Sequence, residues 1–246
     1  MYSMNISIII PAHNEEKYLG SCLQSIQNNT KTDSVEIIVV LNRCSDKTEE
    51  IAKQYGAITI INDEKNLSAI RNYGIQQAHG EIIITIDADS IMSPHFIEEV
   101  QKNIDSNIFI GGGSPIKPER RSLGIFVTEI MISGLLKVFG ISAGAFWLRK
   151  NIWKELGGFN ENLSVAEDID FALRLKKYAK NKDLKYGTLK KSFITTSCRK
   201  FDVYGDWHWF FMPIKSPRLF LKSFFNKKSE FANQYFYSFN DREKKR

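Results

Sequence analysis

The sequence predicts an α/β fold with a mostly parallel central sheet and helices on both faces. Four short runs rich in Ile and Val recur through the first 86 residues, and amphipathic helical patterns separate them. The composition, with 43% hydrophobic and 25% charged residues among 246, is that of one soluble domain with at most an appendage. Alternating strands and helices imply right-handed crossovers, parallel strands, and ligands gathered at the C-terminal strand ends.

Each apolar run has the length of one buried strand. In chain order the predicted strands are Ile6 to Ile10, Glu36 to Leu41, Ala57 to Ile61 and Glu81 to Ile86. The predicted helices between them are Glu15 to Gln27, Thr48 to Tyr55 and Ser68 to Ala78. Asp46-Lys-Thr-Glu49 resembles a capping box, and Gly80 is typical of the position just after a helix.

After Pro94 the alternation stops and a more composite half begins. A glycine-rich turn around Gly112 leads to an amphipathic stretch, Leu123 to Val138, and the capping-box pattern Ser164-Val-Ala-Glu167 predicts the start of another helix. A strand is predicted over Phe193 to Ser197. No stretch has the ~18 or more uninterrupted apolar residues that a membrane-spanning helix needs, so none is predicted.

The net charge of +6 is the sum of an acidic N-terminal part and a basic C-terminal part. Up to Leu173 there are 15 Lys and Arg against 22 Asp and Glu, whereas from Arg174 onward there are 19 against 6. The three cysteines are odd in number, lack metal-ligand spacing and follow no secretory leader, which favours a reduced, cytoplasmic protein.

Asp87-Ala-Asp89 directly follows the fourth strand. Alternation along an extended chain points both carboxylates the same way, toward the predicted ligand crevice. Hard divalent cations bind there through one or two carboxylates plus substrate phosphates. The alternative is a structural turn, since Asp favours turns.

The first strand ends in Pro11-Ala-His-Asn-Glu15 instead of a glycine-rich phosphate loop, which argues against a dinucleotide-binding enzyme and a nucleoside triphosphatase. Asn42 opens a polar loop after the second strand. Its side chain can hydrogen-bond a base and ribose, or the loop is only a helix cap.

A second acidic cluster contains Glu167, Asp168 and Asp170. Acidic residues in the first turn of a helix are stabilised by the helix dipole by about 0.3–1 kcal/mol each, so the cluster can be purely structural. Repulsion among three carboxylates would also raise at least one pKa and help to make a general base.

Together these segments resemble the family 2 glycosyltransferases, inverting enzymes of GT-A fold that use nucleotide-activated sugars. The resemblance covers about residues 6–200. It rests on five segments in order: Ser7 to Glu16, Glu36 to Thr48, Ala69 to Ile75, Gly80 to Asp89, and Gly157 to Glu161 leading to Glu167-Asp168.

The resemblance implies a role for each matching position. Nucleotide-binding roles fall on Pro11, Ala12, Glu15, Asn42, Arg71 and Asp87. Asp89 would hold Mg²⁺ or Mn²⁺, and Asp168, with Glu167 beside it, would be the general base. Thr195-Thr-Ser-Cys-Arg-Lys200 is similar to a segment of one subgroup, which makes Arg199 or Lys200 a candidate diphosphate ligand; alternatively, the two form a surface basic pair.

Two departures from the family pattern matter. Asn42 stands where many relatives carry an aspartate that contacts the base, which leaves the base open. The Gln-x-x-Arg-Trp signature of processive synthases is absent, which favours single additions.

The predicted organisation is one GT-A domain over residues 1–200, with a nucleotide-sugar half (1–110) and an acceptor half (111–200), followed by a basic aromatic extension (201–246). The expected reaction moves one sugar from a UDP- or GDP-sugar to a saccharide or lipid-linked acceptor, with inversion and a divalent metal. The alternatives are a sugar nucleotidyltransferase, an Asp-x-Asp phosphatase and a catalytically inactive nucleotide- or glycan-binding homologue.

The basic end interleaves Lys and Arg with aromatic residues such as Trp207, Trp209 and Phe220. This pattern suits an anionic membrane surface and a peripheral location on the inner membrane face. A merely solvated basic face is the alternative. Nucleic acid is not expected as a partner, because the predicted crevice is acidic.

Overall fold

A computed structural model describes residues 6–30, 35–163 and 165–215. The strands in these ranges are β1 Ile6–Ala12, β2 Val35–Leu41, β3 Ile58–Ile61, β4 Ile82–Thr85, β5 Ser90–Met92, β6 Phe109–Gly113, β7 Ile116–Pro118, β8 Phe146–Arg149, β9 Lys185–Thr188 and β10 Ile194–Thr196. The helices are α1 Leu19–Asn29, α2 Thr48–Gln54, α3 Leu67–Gln77, α4 Phe96–Asp105, α5 Leu123–Val138, α6 Lys150–Leu156, α7 Glu167–Asn181, α8 Arg199–Tyr204 and α9 His208–Lys215.

The main sheet has seven strands in the order β3-β2-β1-β4-β8-β6-β9. Every neighbouring pair is parallel except the two pairs that include β8, which runs against β4 and β6. A smaller sheet has the order β5-β10-β7. The predicted mostly parallel central sheet is therefore present.

Alternation along β1 divides the core into two layers. The side chains of Ile8 and Ile10 pack in one hydrophobic cluster with Leu23 of α1. Ile9 points to the opposite face and packs in a second cluster with Ile75 of α3. Successive strand residues face opposite sides of a sheet, so a continuous apolar run is buried only when helices cover both faces.

The strand order reverses direction at β1. The chain proceeds from β1 outward through β2 to β3, and β4 then pairs with the other side of β1. The connections that leave the C-terminal ends of β1 and β4 therefore diverge and open a crevice, the usual ligand position in such sheets.

Gly74 allows α3 to lie directly on the sheet. A Cβ atom at this position would come 2.5 Å from Cγ2 of Ile9 and 2.7 Å from Cγ2 of Val40. Any larger residue would push α3 away from β1 and β2.

The ends of several helices differ from prediction. α2 begins at Thr48, whose backbone N–H donates to Oδ1 of Asp46 at 3.0 Å, a one-sided cap in place of the reciprocal box. α3 ends at Gln77, and Gly80 lies beyond its extended cap residue Ala78. Ser164 of the second predicted capping box lies outside the described residues, as do residues 216–246, including Phe220.

α5 consists mostly of apolar residues, and several of their side chains are exposed to solvent. Phe126, Ile130 and Leu135 are about half exposed, with exposed fractions of 49%, 54% and 54%. Across the described ranges, no helix has the length and hydrophobicity needed to cross a bilayer.

Candidate active site

A cavity of about 150 Å³ opens at the C-terminal ends of β1, β2 and β4, where the crevice is expected. Of the seven predicted nucleotide-binding positions, six line it: Pro11, Ala12, Glu15, Asn42, Asp87 and Arg199. The predicted metal ligand Asp89 also lines the wall, whereas Arg71 does not.

One wall of the cavity is a cluster of buried charges, Glu15, Asp89 and Arg199, which we call the donor cluster. Nη1 and Nη2 of Arg199 donate to the two carboxylate oxygens of Glu15 at 2.8 and 2.7 Å. Nη2 also lies 3.0 Å from Oδ2 of Asp89. Although burial opposes the charge, Asp89 and Glu15 raise the pKa of Arg199 above its usual value. One guanidinium thus pairs with two carboxylates.

Asp89 offers oxygen ligands of the kind that Mg²⁺ and Mn²⁺ prefer. Within the described ranges, no group of three or more His, Cys, Asp or Glu side chains is placed to hold a metal ion. Arg199 already occupies one side of the Asp89 carboxylate. The few protein oxygen ligands at this position therefore fit a divalent cation that takes its remaining ligands from a bound diphosphate. They do not fit a cation that is held by the protein alone.

Asn42 is buried and uses its amide to hold two loops together. Nδ2 donates to the backbone carbonyls of Asn62 at 2.6 Å and Glu64 at 2.8 Å. Oδ1 accepts from Nη2 of Arg43 at 3.0 Å. An ionised aspartate at this position would have no hydrogen to donate to the two carbonyls. These two hydrogen bonds therefore explain why an asparagine is suitable here.

A second group of charges lies next to the cavity and contains Arg71, Glu167 and Asp168, which we call the base cluster. Nη1 of Arg71 donates to Oε1 of Glu167 at 2.9 Å, and Nη2 donates to Oδ1 of Asp87 at 2.7 Å. The Arg71 side chain is only 9% exposed. Arg71 thereby joins the end of β4 to the start of α7, and its guanidinium lies between carboxylates instead of in the cavity wall.

Asp168 differs from its acidic neighbours in having no ion pair among the described residues. Its Oδ1 accepts a hydrogen bond from the backbone N–H of Ile169 at 2.7 Å. Asp170, in contrast, pairs with Arg174 at 2.7 Å. Burial first, and then the negative charge of Glu167, raise the pKa of Asp168 from 3.8 to about 7. A carboxylate with such a pKa can accept a proton near neutral pH.

The residue after Arg71 has a role that sequence reasoning missed. Nδ2 of Asn72 donates to the backbone carbonyl of Phe159 and to Oε1 of Glu161, each at 2.9 Å, while Oδ1 accepts from the N–H of Phe159 at 2.8 Å. A Cβ atom at Gly158 would come 2.6 Å from Oδ1 of Asn72. Asn72 therefore packs directly against the Gly157-Gly-Phe159 segment, although the two motifs are more than 80 residues apart in the sequence.

The sequence assigned no individual role to two other cavity residues, His13 and Arg43, which line the wall together with Lys200. Nδ1 of the half-buried His13 lies 2.5 Å from the backbone oxygen of Asn42. Burial lowers the pKa of Lys200, a candidate diphosphate ligand, below its usual value. His13 and Arg43 each directly follow a predicted site residue, which is the signal that could have found them.

A mostly parallel sheet with an acidic, arginine-bearing cavity at its switch point has the arrangement in which open α/β sheets bind ligands. The profile of the family described as Glycosyl transferase family 2 matches residues 7–157. The chain belongs to this family. The predicted family, the family 2 glycosyltransferases, is therefore confirmed.

Two relatives illustrate the extent of the match. EpsH of Bacillus subtilis is 34% identical over 100 residues, which are 39% of this chain and 29% of EpsH. An uncharacterized glycosyltransferase of Haemophilus influenzae is 29% identical over 213 residues, which are 78% of this chain and 71% of that protein. The matched segment thus spans less than a third of EpsH.

The fold is also found in solved structures. The structure of S. aureus TarS 1-349 in complex with UDP-GlcNAc superimposes with a TM-score of 0.63 and 19% identity, over 79% of this chain and 58% of that chain. This similarity confirms the predicted GT-A type of α/β fold.

Proposed function

We propose that the protein transfers a single sugar from a nucleotide-diphosphate sugar, with UDP or GDP as nucleotide, to an acceptor hydroxyl with inversion at the anomeric carbon. The observation that carries the proposal is Asp168, a carboxylate that has a raised pKa and no ion pair among the described residues. It follows Glu167, which Arg71 joins to Asp87 of the cavity wall. A carboxylate on one side and a diphosphate-binding cluster on the other are what a single in-line displacement requires.

The donor would lie in the cavity at the ends of β1, β2 and β4. Six predicted nucleotide-binding residues are assembled there. TarS, whose fold this chain shares, has been solved with UDP-GlcNAc and with UDP. These observations support a nucleotide-sugar donor in this cavity.

In the proposed reaction, Asp168 accepts the proton of the acceptor hydroxyl as its oxygen attacks the anomeric carbon. The bond from that carbon to the diphosphate breaks at the same time, and the nucleoside diphosphate leaves with the bonding electrons. Arg199 and Lys200 lie in the cavity wall, where their positive charge would stabilise the negative charge that develops on the diphosphate.

Asp89 would hold Mg²⁺ or Mn²⁺ together with the diphosphate. Such an ion supplies Lewis-acid stabilisation of the leaving group. Asp89→Ala is expected to abolish metal-dependent nucleotide binding, measured by calorimetry with Mn²⁺ and with EDTA. Equal affinity under the two conditions in the wild type would count against a metal requirement.

The two predicted halves would then divide the work. Residues 1–110 supply most of the cavity wall, and 111–200 supply the base. Arg71 of the first half pairs with Glu167 of the second at 2.9 Å, and Arg199 of the second half pairs with Glu15 and Asp89 of the first, so charged contacts join the two halves.

A donor screen tests the proposal. We expect a UDP- or GDP-sugar, with Mn²⁺, to raise the melting temperature, and slow hydrolysis of that donor to release a nucleoside diphosphate. Pyrophosphate release would identify a nucleotidyltransferase, inorganic phosphate a phosphatase, and nucleotide binding without any hydrolysis an inactive binding homologue.

For the extension over residues 201–246 we propose contact with an anionic membrane surface from the cytoplasmic side. Trp207 and Phe211 at its start are 39% and 40% exposed. Binding to vesicles that contain an anionic lipid should weaken with salt and be lost when the residues after Phe201 are removed. Equal binding to neutral vesicles would contradict this proposal.

A further inference from the structure

A second cavity, which we call the apolar groove, lies between the smaller sheet and α5. Its volume is about 310 Å³, within the roughly 300–1,000 Å³ of small-molecule sites. Its apolar wall includes Ile116, Pro118, Ile125, Ile132, Leu136 and Phe201. Glu129 and Lys137 are the charged residues in the wall. A sugar chain would leave its hydroxyls without partners against such a wall, whereas a hydrocarbon would not.

The apolar groove adjoins the candidate active site at two points. Lys200 lines the donor cavity, and the next residue, Phe201, lines the groove. Ser142 lines the groove at another place and accepts a hydrogen bond from the hydroxyl of Tyr186 on its backbone oxygen. Burial raises the pKa of Tyr186, and the charge of Asp168 adds to the increase, so this carboxylate lies within electrostatic range. Asp168 therefore interacts electrostatically with Asp87 of the donor cavity wall and with Tyr186, which contacts the groove residue Ser142.

The groove wall is mainly apolar and carries hydroxyl groups at a few positions. Near Tyr186 these are the hydroxyls of Ser142 and Thr188, whose oxygens are 3.0 Å apart. Along α5 the wall includes Ile132 beside the charged residues named above, and Ile132 is also 49% exposed. From there the apolar surface continues outward on α5 through Leu135, which is 54% exposed. An exposed apolar surface that continues from a cavity marks a binding site for an apolar ligand that is longer than the cavity.

We propose that the apolar groove binds the hydrocarbon chain of a lipid-linked acceptor and directs its polar end toward Asp168. This inference rests on the proposed function and specifies its acceptor. The acceptor hydroxyl loses its proton to the Asp168 carboxylate, its oxygen bonds to the anomeric carbon, and the nucleoside diphosphate departs. The chain of the acceptor stays in the groove and extends over α5.

Farnesyl phosphate, used below its aggregation concentration, is a suitable probe because it joins a branched hydrocarbon to a polar end. Its binding is measured by calorimetry without donor, beside inorganic phosphate alone. Ile132→Asp places a charge in the groove wall. The matched control Ile130→Asp places the same charge on the same helix, at a residue that is 54% exposed and outside the groove wall.

We expect the wild type to bind farnesyl phosphate, inorganic phosphate to bind at least tenfold more weakly, and Ile132→Asp to lose at least tenfold in affinity. Ile130→Asp should stay within about twofold of the wild type. Equal weakening by both variants, equal binding of inorganic phosphate, or no binding by the wild type would overturn the inference. So would dissociation of a dimer in Ile132→Asp, because a second copy would then be the occupant.

The binding of UDP and GDP to the same variants keeps the two proposals apart. Ile132→Asp should leave nucleotide binding unchanged. A wild type that binds nucleotide but not farnesyl phosphate would refute the groove inference. Failure of the wild type to bind any nucleotide would refute the proposed function, while the lipid measurement would still stand.

Discussion

The donor cluster and the base cluster are built from the same parts but differ in how the charges are paired. Each contains one buried arginine and two carboxylates. In the donor cluster, Arg199 contacts both Glu15 and Asp89. In the base cluster, Arg71 contacts Glu167 and turns its other nitrogen to Asp87, so Asp168 has no guanidinium partner.

This difference decides what each carboxylate can do. Carboxylates that face a guanidinium stay ionised and keep their positions, which suits the binding of a cation or a phosphate group. An unpaired, partly buried carboxylate has a raised pKa and can take up a proton during the reaction. The pairing therefore separates a binding region from a proton-accepting region within one site.

Removing the unpaired carboxylate should have the largest effect. Asp168→Asn is expected to lower kcat by about 10²–10⁴-fold, the usual contribution of a general base, while the affinity for the nucleotide stays unchanged. Transfer is measured by nucleoside diphosphate release with acceptor present. Asp170→Asn on the same helix is the control and should lose less than tenfold. Near-normal transfer by Asp168→Asn would refute the proposed mechanism.

Breaking the paired cluster should act first on stability. Arg199→Gln removes the guanidinium that contacts the buried carboxylates of Glu15 and Asp89, and removal of one partner from a buried pair costs about 3–5 kcal/mol. We expect a clear drop in melting temperature and weaker nucleotide binding, with partial recovery in Arg199→Lys.

Arg120→Gln is the matched control for this prediction. Arg120 pairs with Asp202 and Asp206 near the surface, where its side chain is 40% exposed. Exposed pairs contribute little, so the melting temperature should hardly change. Equal losses in Arg120→Gln and Arg199→Gln would mean that burial of the donor cluster is not what makes its pairing important.

The pH profile gives a finer test of the base cluster. If Asp168 must be ionised, kcat/KM of the wild type should fall about tenfold per pH unit below pH about 7. The positive charge of Arg71 lowers the pKa of Asp168, so Arg71→Gln should move the midpoint of the profile to higher pH and Arg71→Lys should not. An unchanged midpoint in Arg71→Gln would exclude electrostatic contact between the two residues.

The smallest expected effect is on stability against pH. Because the pKa of Asp168 is about 7 in the folded chain and 3.8 ordinarily, the folded state binds the extra proton between these values. The contribution of this carboxyl group to stability is thus complete below pH 3.8 and is lost as the pH rises through 7. Asp168→Asn should melt at a higher temperature than the wild type at pH 8, and this difference should disappear near pH 4. A constant difference would contradict the raised pKa.

Much of the fold follows from local patterns. The Ile and Val runs that become β1, β2, β3 and β4 could be identified from the sequence, because burial on both faces demands continuous apolar residues. The position of Asp87 and Asp89 at the end of a strand follows from the same reasoning. Helix ends were less predictable, since α1 begins at Leu19, after a turn that starts at Glu15.

The sequence by itself determined the strands of the first half, the family and most of the residues around the donor cavity, because these depend on short-range periodicity and contiguous motifs. Only the tertiary structure decided the partners of those residues. Arg199 meets Glu15 across 184 positions, Asn42 joins two loops, and Asp168, unlike Glu167 and Asp170, has no ion pair among the described residues. Such contacts depend on how distant segments pack together, and no local pattern in the chain records that packing.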